Sequence, residues 1–217
     1  VPSSRYEQIS KIMEIIVNLK PKSVLDIGAG FGKYGVLTRE YLELWDERYE
    51  YDKSTWQHRI DAIEGHGRYI TPLHEYVYDH IYVGDATQIV PTLQAQYDLT
   101  LLIDIFEHVE REAGRKLVQD LLKISKGVLI CVPARYGEQD AVFDNPYEIH
   151  RANWSVDELK TLGTTVFVPD ENKRICIVGE QAVRRWEQYQ RAKIRQRIKR
   201  YFPALTSIYR KTLKGKR

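Results

Sequence analysis

The stretch Asp26-Ile27-Gly28-Ala29-Gly30-Phe31-Gly32 decides how this chain is read. It ends a short apolar run, Ser23–Gly28, of strand length, and it leads into Lys33–Leu44, which reads as a helix. Glycines at such a junction let the backbone come close to a ligand, and the first helical turn offers unpaired N–H groups. A tight strand-to-helix turn that holds nothing would use the same residues. Gly30, Gly32 and Gly35 also fit the G-x-G-x-x-G pattern, which asks for an acid about 20 residues further on. Glu64 lies 34 residues after Gly30. Residues 45–58, rich in charge and in aromatics such as Trp45, Tyr49, Tyr51 and Trp56, read as an insertion that accounts for the stretch. Spacing alone therefore does not choose the ligand.

Upstream, Ser4 and Glu7 fit a capping box ahead of Ile9, Ile12, Met13, Ile16 and Leu19 at helical spacing, and Pro21 stops the helix. Downstream, Arg59–Glu64, His80–Asp85, Asp98–Asp104 and Gly127–Pro133 read as strands, with a helix from beyond Asp104 to about Ser125. Residues 134–153 read as a long polar loop. Ser155–Leu162 reads as a helix opened by Ser155 and Glu158 in a second capping box. Thr164–Pro169 and Arg174–Gly179 read as strands joined by a hairpin-length turn. Strands alternating with helices predict an α/β fold, with a doubly wound, seven-stranded, mostly parallel sheet. The closing strand–turn–strand unit predicts an antiparallel strand near its C-terminal edge.

The 217 residues are 43% apolar and 29% charged, which fits one domain of ordinary size and excludes a disordered, collagen-like or coiled-coil chain. No apolar run approaches the roughly 18–20 residues that span a bilayer, and no charged-then-apolar leader opens the chain. Cys131 and Cys176 lie in apolar runs and read as small hydrophobes rather than a disulfide framework. A cytoplasmic protein is the expectation. The net charge of +3 is unevenly spread: residues 181–217 hold 13 of the 33 Lys and Arg but one acid, Glu187, leaving −9 on residues 1–180. The expected organisation is an acidic domain over 1–180 and a basic tail over 181–217, an asymmetry that speaks to partners.

Four acids mark the strand ends. Asp26 lies in the first strand, Glu64 ends the second, Gly84-Asp85-Ala86 closes the third, and Asp104 ends the fourth, followed by Glu107-His108. In a doubly wound sheet these converge on the carboxyl edge, where ligands bind. They suit a ligand with an amino group, a ribose diol and an exocyclic amine, and they repel a pyrophosphate. In this order, Val24–Gly32, Ile63-Glu64, Gly84-Asp85-Ala86, Asp98–Val109 and the closing strand pair resemble the class I S-adenosylmethionine-dependent methyltransferases, over about residues 20–180. The resemblance implies a Rossmann-like methyltransferase fold with S-adenosylmethionine as cofactor. It implies that Asp26, Gly28, Ala29, Gly30 and Gly32 hold the methionine end, and that Glu64 takes the ribose hydroxyls. It further implies that Asp85 and Ala86 face the adenine and that Asp104 lies near the amino group and methyl donor. Asp26 and Asp104 as structural caps are the plainer alternative.

The implied reaction is methyl transfer to an oxygen or nitrogen of a small molecule or saccharide. RNA methylation, a non-catalytic cofactor-binding protein and a nicotinamide-dependent oxidoreductase are the rivals. Asp104-Ile105-Phe106-Glu107 stands where an Asn-Pro-Pro-Tyr type motif would mark amino-group methylation of bases. The loop Asp144–Trp154 (DNPYEIHRANW), placed after the fifth strand, is expected to hang over the methyl donor. It resembles loops in bacterial methyltransferases associated with sugars and the cell surface. His108, His150 and Asp104 are the catalytic candidates, because an imidazole near its ordinary pKa of about 6.5 takes a proton from a hydroxyl. Asp104, Glu107 and His108 share one turn, and His150 would complete a metal set. Glu-His after the fourth strand also occurs in metal-free members of the fold, so no metal is assigned.

Arg184–Arg200 reads as a helix with Trp186, Tyr189, Ile194 and Ile198 as its apolar members, crowded by Arg191, Lys193, Arg195, Arg197, Lys199 and Arg200. Pro203 interrupts, and Leu205, Ile208, Tyr209 and Leu213 continue the pattern. A basic amphipathic helix with interfacial aromatics predicts docking of residues 184–217 on an anionic membrane surface, the inner face of the membrane. RNA would attract the same charge but gives no reason for the apolar spacing. A helix packed on its own domain or on a second copy is the plain alternative.

Overall fold

The computed structural model describes residues 6–44, 52–135, 137–142 and 144–201. Seven strands form one sheet: β1 Ser23–Ile27, β2 Arg59–Glu64, β3 His80–Val83, β4 Leu99–Ile103, β5 Val128–Pro133, β6 Thr165–Val168 and β7 Lys173–Val178. Their order is β3-β2-β1-β4-β5-β7-β6. The first five run parallel, while β7 is antiparallel to both β5 and β6, as the closing hairpin predicted. The order reverses between β1 and β4, and this switch point opens a crevice at the carboxyl edge of the strands.

The sheet is covered on both faces because its central strands are apolar at every position but a few. Leu25, Ile27, Leu102, Val128 and Ile130 point into one core. They meet Leu117, Val118 and Leu121 of α5 (Arg111–Ile124) and Leu159 of α6 (Val156–Lys160). The alternate residues Leu101, Leu129 and Ile177 are equally buried on the other face. The helix α1 (Ile9–Leu19) buries Ile12, Ile15, Ile16 and Leu19. It contacts α2 (Lys33–Arg39), which in turn contacts α3 (Pro72–Val77).

Several expectations need adjustment. The helix α1 begins at Ile9 behind Gln8, which makes no side-chain cap; the expected capping box of Ser4 and Glu7 rests on Ser4, which lies outside the described residues. The helix read as Lys33–Leu44 is α-helical only to Arg39 and continues as a π-helical turn over Glu40–Leu44. The short helices α3 and α4 (Ala86–Ile89) had no periodic signal, being only six and four residues long. Ser155 and Glu158 do form the expected capping box. Of the insertion's aromatics, Trp45, Tyr49 and Tyr51 lie outside the described residues, while Trp56 packs edge-on to Tyr76 and beneath the Arg39 guanidinium.

The chain divides into two compact units, Val1–Val183 and Arg184–Arg217. The long helix α7 runs from Glu180 to Tyr201. Among the described residues no helix is long and apolar enough to cross a membrane.

Candidate active site

The strand ends decide where the site lies. A cavity of about 450 Å³ opens at the β1–β4 switch point and is lined by Asp26, Glu64, Asp85 and Asp104, one from each of the first four strand ends. Its volume lies in the range of small-molecule sites.

The glycines of the β1–α2 turn are required for different reasons. Gly28 has φ +73°, and a Cβ there would stand 2.0 Å from the Ile105 side chain, so the turn after β4 closes directly over it. Ala29 and Gly30 line the cavity with Gly28. Gly32 does not. It caps α2 at φ +86°, with the His74 ring against it, and its work is to turn the chain into the helix.

Glu64 is buried and bridges two loops. Its Oε2 accepts the Gly30 N–H at 2.8 Å and its Oε1 accepts the His66 N–H at 2.8 Å. A carboxylate oxygen has two lone pairs, so each retains acceptor capacity on the cavity. Asp85 is exposed, and its Oδ1 accepts from the Thr87 N–H at 2.8 Å and the Thr87 hydroxyl at 2.7 Å, capping α4. Ala86 lines the cavity beside it.

Asp26 is buried and accepts a 2.6 Å hydrogen bond from the Tyr78 hydroxyl. Burial pushes its carboxyl up to about 6, against the lowering effect of that hydrogen bond. Asp104 adopts φ +53°, a conformation Asp tolerates better than most residues. Its Oδ1 takes Lys173 at 2.5 Å and its Oδ2 takes the Gln8 amide at 3.2 Å. Lys173 also lines the cavity, so the acid arrives there already paired.

The loop after β5 forms the roof. Trp154 is buried, stacks on Phe106 at 4.1 Å and donates its indole N–H to the Phe106 carbonyl at 2.8 Å. Gly114 makes room for it, since a Cβ there would stand 2.7 Å from the indole. The N–H groups of Arg151 and Ala152 both donate to the Glu107 carbonyl, at 2.8 and 3.0 Å. At its other end the loop reaches β2, where Tyr147 lies so close to Gly65 that a Cβ would stand 3.0 Å from its ring. Asn145, buried, caps the Tyr147 N–H at 3.0 Å. The segment thus spans the crevice from the β4 side to the β2 side.

His150, in this roof, and His108 have ring centroids 4.9 Å apart, and both line the cavity. His108 Nδ1 faces the Ile149 carbonyl at 3.1 Å, and His150 Nδ1 faces the Gly137 carbonyl. Burial pulls His108 down to about 4, so its ring is neutral at pH 7. For His108 this departs from the expected imidazole near 6.5, since a group at about 4 accepts a proton poorly at neutral pH. Glu107 is buried and pushed up to about 8, first by burial and then by the nearby charge of Asp104.

The structure therefore brings the acids, Gly28, Ala29, Gly30, Ala86, His108 and His150 to one cavity and leaves Gly32 outside it. It adds Tyr78, Gln8 and Lys173, none of which carried a sequence signal. Tyr78 ends α3, Gln8 precedes α1, and Lys173 stands in what the sequence reads as a turn.

No protein-family model matches this chain, and no curated protein sequence matches it. Solved structures do match in three dimensions. The N-terminal domain of EvdMO1, crystallised in the presence of SAH and D-fucose, has a TM-score of 0.57 at 11% identity, over 82% of this chain and 84% of that one. The magnesium protoporphyrin IX methyltransferase ChlM from Synechocystis PCC 6803, with bound SAM, has a TM-score of 0.53 at 11% identity, over 80% and 79%. An O-methyltransferase family protein from Burkholderia thailandensis has a TM-score of 0.51 at 12% identity, over 79% and 57%. The chain has the class I methyltransferase fold. In that fold the resemblance read from Val24–Gly32, Glu64, Asp85 and Asp104 falls on the crevice just described.

Proposed function

We propose that this methyltransferase-fold chain transfers a methyl group from S-adenosylmethionine to an oxygen or nitrogen of a small-molecule or saccharide acceptor. The observation that carries the reading is the single cavity faced by Asp26, Glu64, Asp85 and Asp104 at successive strand ends. Glu64 would accept the ribose hydroxyls with the lone pairs left by Gly30 and His66. Asp85 and the Ala86 backbone would face the adenine. The Asp26–Gly30 turn and Asp104 would take the methionine end, in charge-assisted hydrogen bonds to its ammonium.

The sulfonium is an activated donor, so the chain's own contribution is alignment and exclusion of water. The roof from Asn145 to Trp154 supplies both, because it is anchored on either side of the crevice. His150, within it, and His108 would orient the acceptor. A small acceptor suits a cavity of about 450 Å³ better than a polymer does. The structural neighbour crystallised with D-fucose supports a saccharide.

The helix α7 adds a second surface. Ile194, Ile198 and Tyr201 are exposed at i, i+4 and i+7, among Arg191, Arg195, Arg197, Lys199 and Arg200. This arrangement favours an anionic membrane surface. Trp186, read from the sequence as a membrane-facing residue, is buried instead. Pro203 and the apolar residues beyond it lie outside the described residues.

The test of the main reading is calorimetry with S-adenosylmethionine, S-adenosylhomocysteine and NAD, followed by an acceptor screen with methyl-labelled cofactor. Binding of the first two without NAD, and label transfer to a sugar or phenolic hydroxyl, is the expected result. NAD binding alone would overturn the reading.

A further inference from the structure

Three chemically matched groups meet at the roof of the cavity. Ligand atoms of Glu107, His108 and His150 all lie within 4.8 Å of one another. Donors around an ion at roughly 2.0–2.2 Å stand about 3–4 Å apart, so modest side-chain rotation closes the set.

Glu107 is 4% exposed, and its Oε2 has no hydrogen-bond partner. A buried carboxylate oxygen left without a donor is costly, and a cation removes the cost. Among the described residues the cation whose charge bears on Glu107 is Lys173. Its ammonium is held at 2.5 Å by Asp104. Asp104 and Glu148 add further negative charge around Glu107.

The imidazoles are set in the matching form. A carbonyl oxygen only accepts, so the Nδ1 atoms that face Ile149 O and Gly137 O carry the ring hydrogens. In each ring Nε2 is then the atom that can act as a ligand. A histidine that ligates a metal commonly donates its other N–H to a backbone carbonyl in this way, which fixes tautomer and orientation. Both backbone partners lie in the segment after β5, so the roof that closes the cavity also aims the two rings.

We propose that Glu107, His108 and His150 bind one divalent metal ion of the zinc, cobalt or manganese kind at the inner end of the cavity. Two imidazoles and one carboxylate favour these ions over magnesium or calcium, which prefer all-oxygen sets. Three protein ligands leave coordination positions for an acceptor oxygen. Asp104, which shares a turn with Glu107 and His108, is left out of the set because it is held by Lys173 and Gln8. Metal binding itself does not depend on the methyl-transfer reading.

The test uses the full chain, stripped with chelator and dialysed. Cobalt(II) is titrated by visible absorption and zinc(II) by calorimetry, with S-adenosylhomocysteine binding and circular dichroism measured in parallel. One cobalt per chain is expected, with the absorption of a nitrogen- and oxygen-ligated ion, displaced by zinc. Glu107→Gln and His150→Ala should each weaken binding by roughly a hundredfold or more, with S-adenosylhomocysteine affinity and the dichroism spectrum unchanged. His80→Ala, at an exposed histidine outside the cavity, should bind like wild type. Absence of stoichiometric binding below millimolar cobalt or zinc would overturn the inference, as would full binding in Glu107→Gln or its loss in His80→Ala. Failure of the wild type to bind S-adenosylhomocysteine would sink the proposed function instead, so the two failures are distinguishable.

Discussion

The Tyr78 hydroxyl hydrogen-bonds Asp26 at 2.6 Å, across a gap that exists because residue 35 is glycine: a Cβ there would stand 2.3 Å from the Tyr78 ring. The third glycine of the G-x-G-x-x-G pattern therefore serves a tyrosine–aspartate contact 52 residues apart in the chain.

The burial of Asp26 sets a pH dependence, against the lowering effect of the Tyr78 hydrogen bond. Folded Asp26 titrates near 6, against an ordinary 3.8. Between about pH 4 and 6 the folded chain holds a proton that the unfolded chain has lost, so stability falls as pH rises through this window. The loss is complete above 6 and amounts to about 3 kcal/mol. Asp26→Asn lacks this term. In urea unfolding it should gain stability over wild type at pH 7.5 by up to that amount and show no gain at pH 4. An equal difference at both pH values would refute the assignment.

Glu64 joins the β1 and β2 loops through two backbone N–H groups and faces the cavity. Glu64→Ala should weaken S-adenosylhomocysteine binding by about 1.5–3 kcal/mol, the range for hydrogen bonds to a charged group. Calorimetry reads this directly, and unchanged affinity would remove the carboxylate from the ribose.

Trp154 anchors the roof by its stack on Phe106 and its indole hydrogen bond. Trp154→Ala should cost about 3–5 kcal/mol of stability. Trp154→Phe keeps the stack and loses the hydrogen bond, at about 1 kcal/mol. In the phenylalanine variant turnover should drop while cofactor affinity holds, if the acceptor sits against the roof as proposed. Equal losses in both parameters would show that the roof also holds the cofactor.

For the basic helix, sedimentation with vesicles separates charge from apolar contact. The chain should pellet with anionic and not with neutral vesicles. Ile194→Ser with Ile198→Ser should reduce pelleting with the positive charge intact. Retention on RNA without vesicle binding would reassign the surface.

The sheet was legible in the sequence because each strand is a short apolar run closed by a glycine, an acid or a turn, and every strand appears within two residues of where it was read. The acids were legible because strand ends in a doubly wound sheet share one edge. Tyr78, Gln8 and Lys173 were not. Each enters the site through a contact between residues at least 52 positions apart, for which no local pattern exists. The histidine environment was hidden for a related reason. A motif names the imidazole, but the depth at which the roof buries it moves its pKa.

The reversed direction of β7 has a consequence for the order in which the molecule is made. Because that strand runs against β5, its first residue, Lys173, stands opposite Pro133 at the carboxyl edge, where the parallel strands end. The last wall of the crevice is thus written near the end of the domain's message. A nascent chain that has emerged only through β5 has its glycine turn and its acids, but Asp104 has no lysine and β5 presents an open edge. The hairpin that gives Asp104 its lysine is thus also the one that covers the free edge of β5.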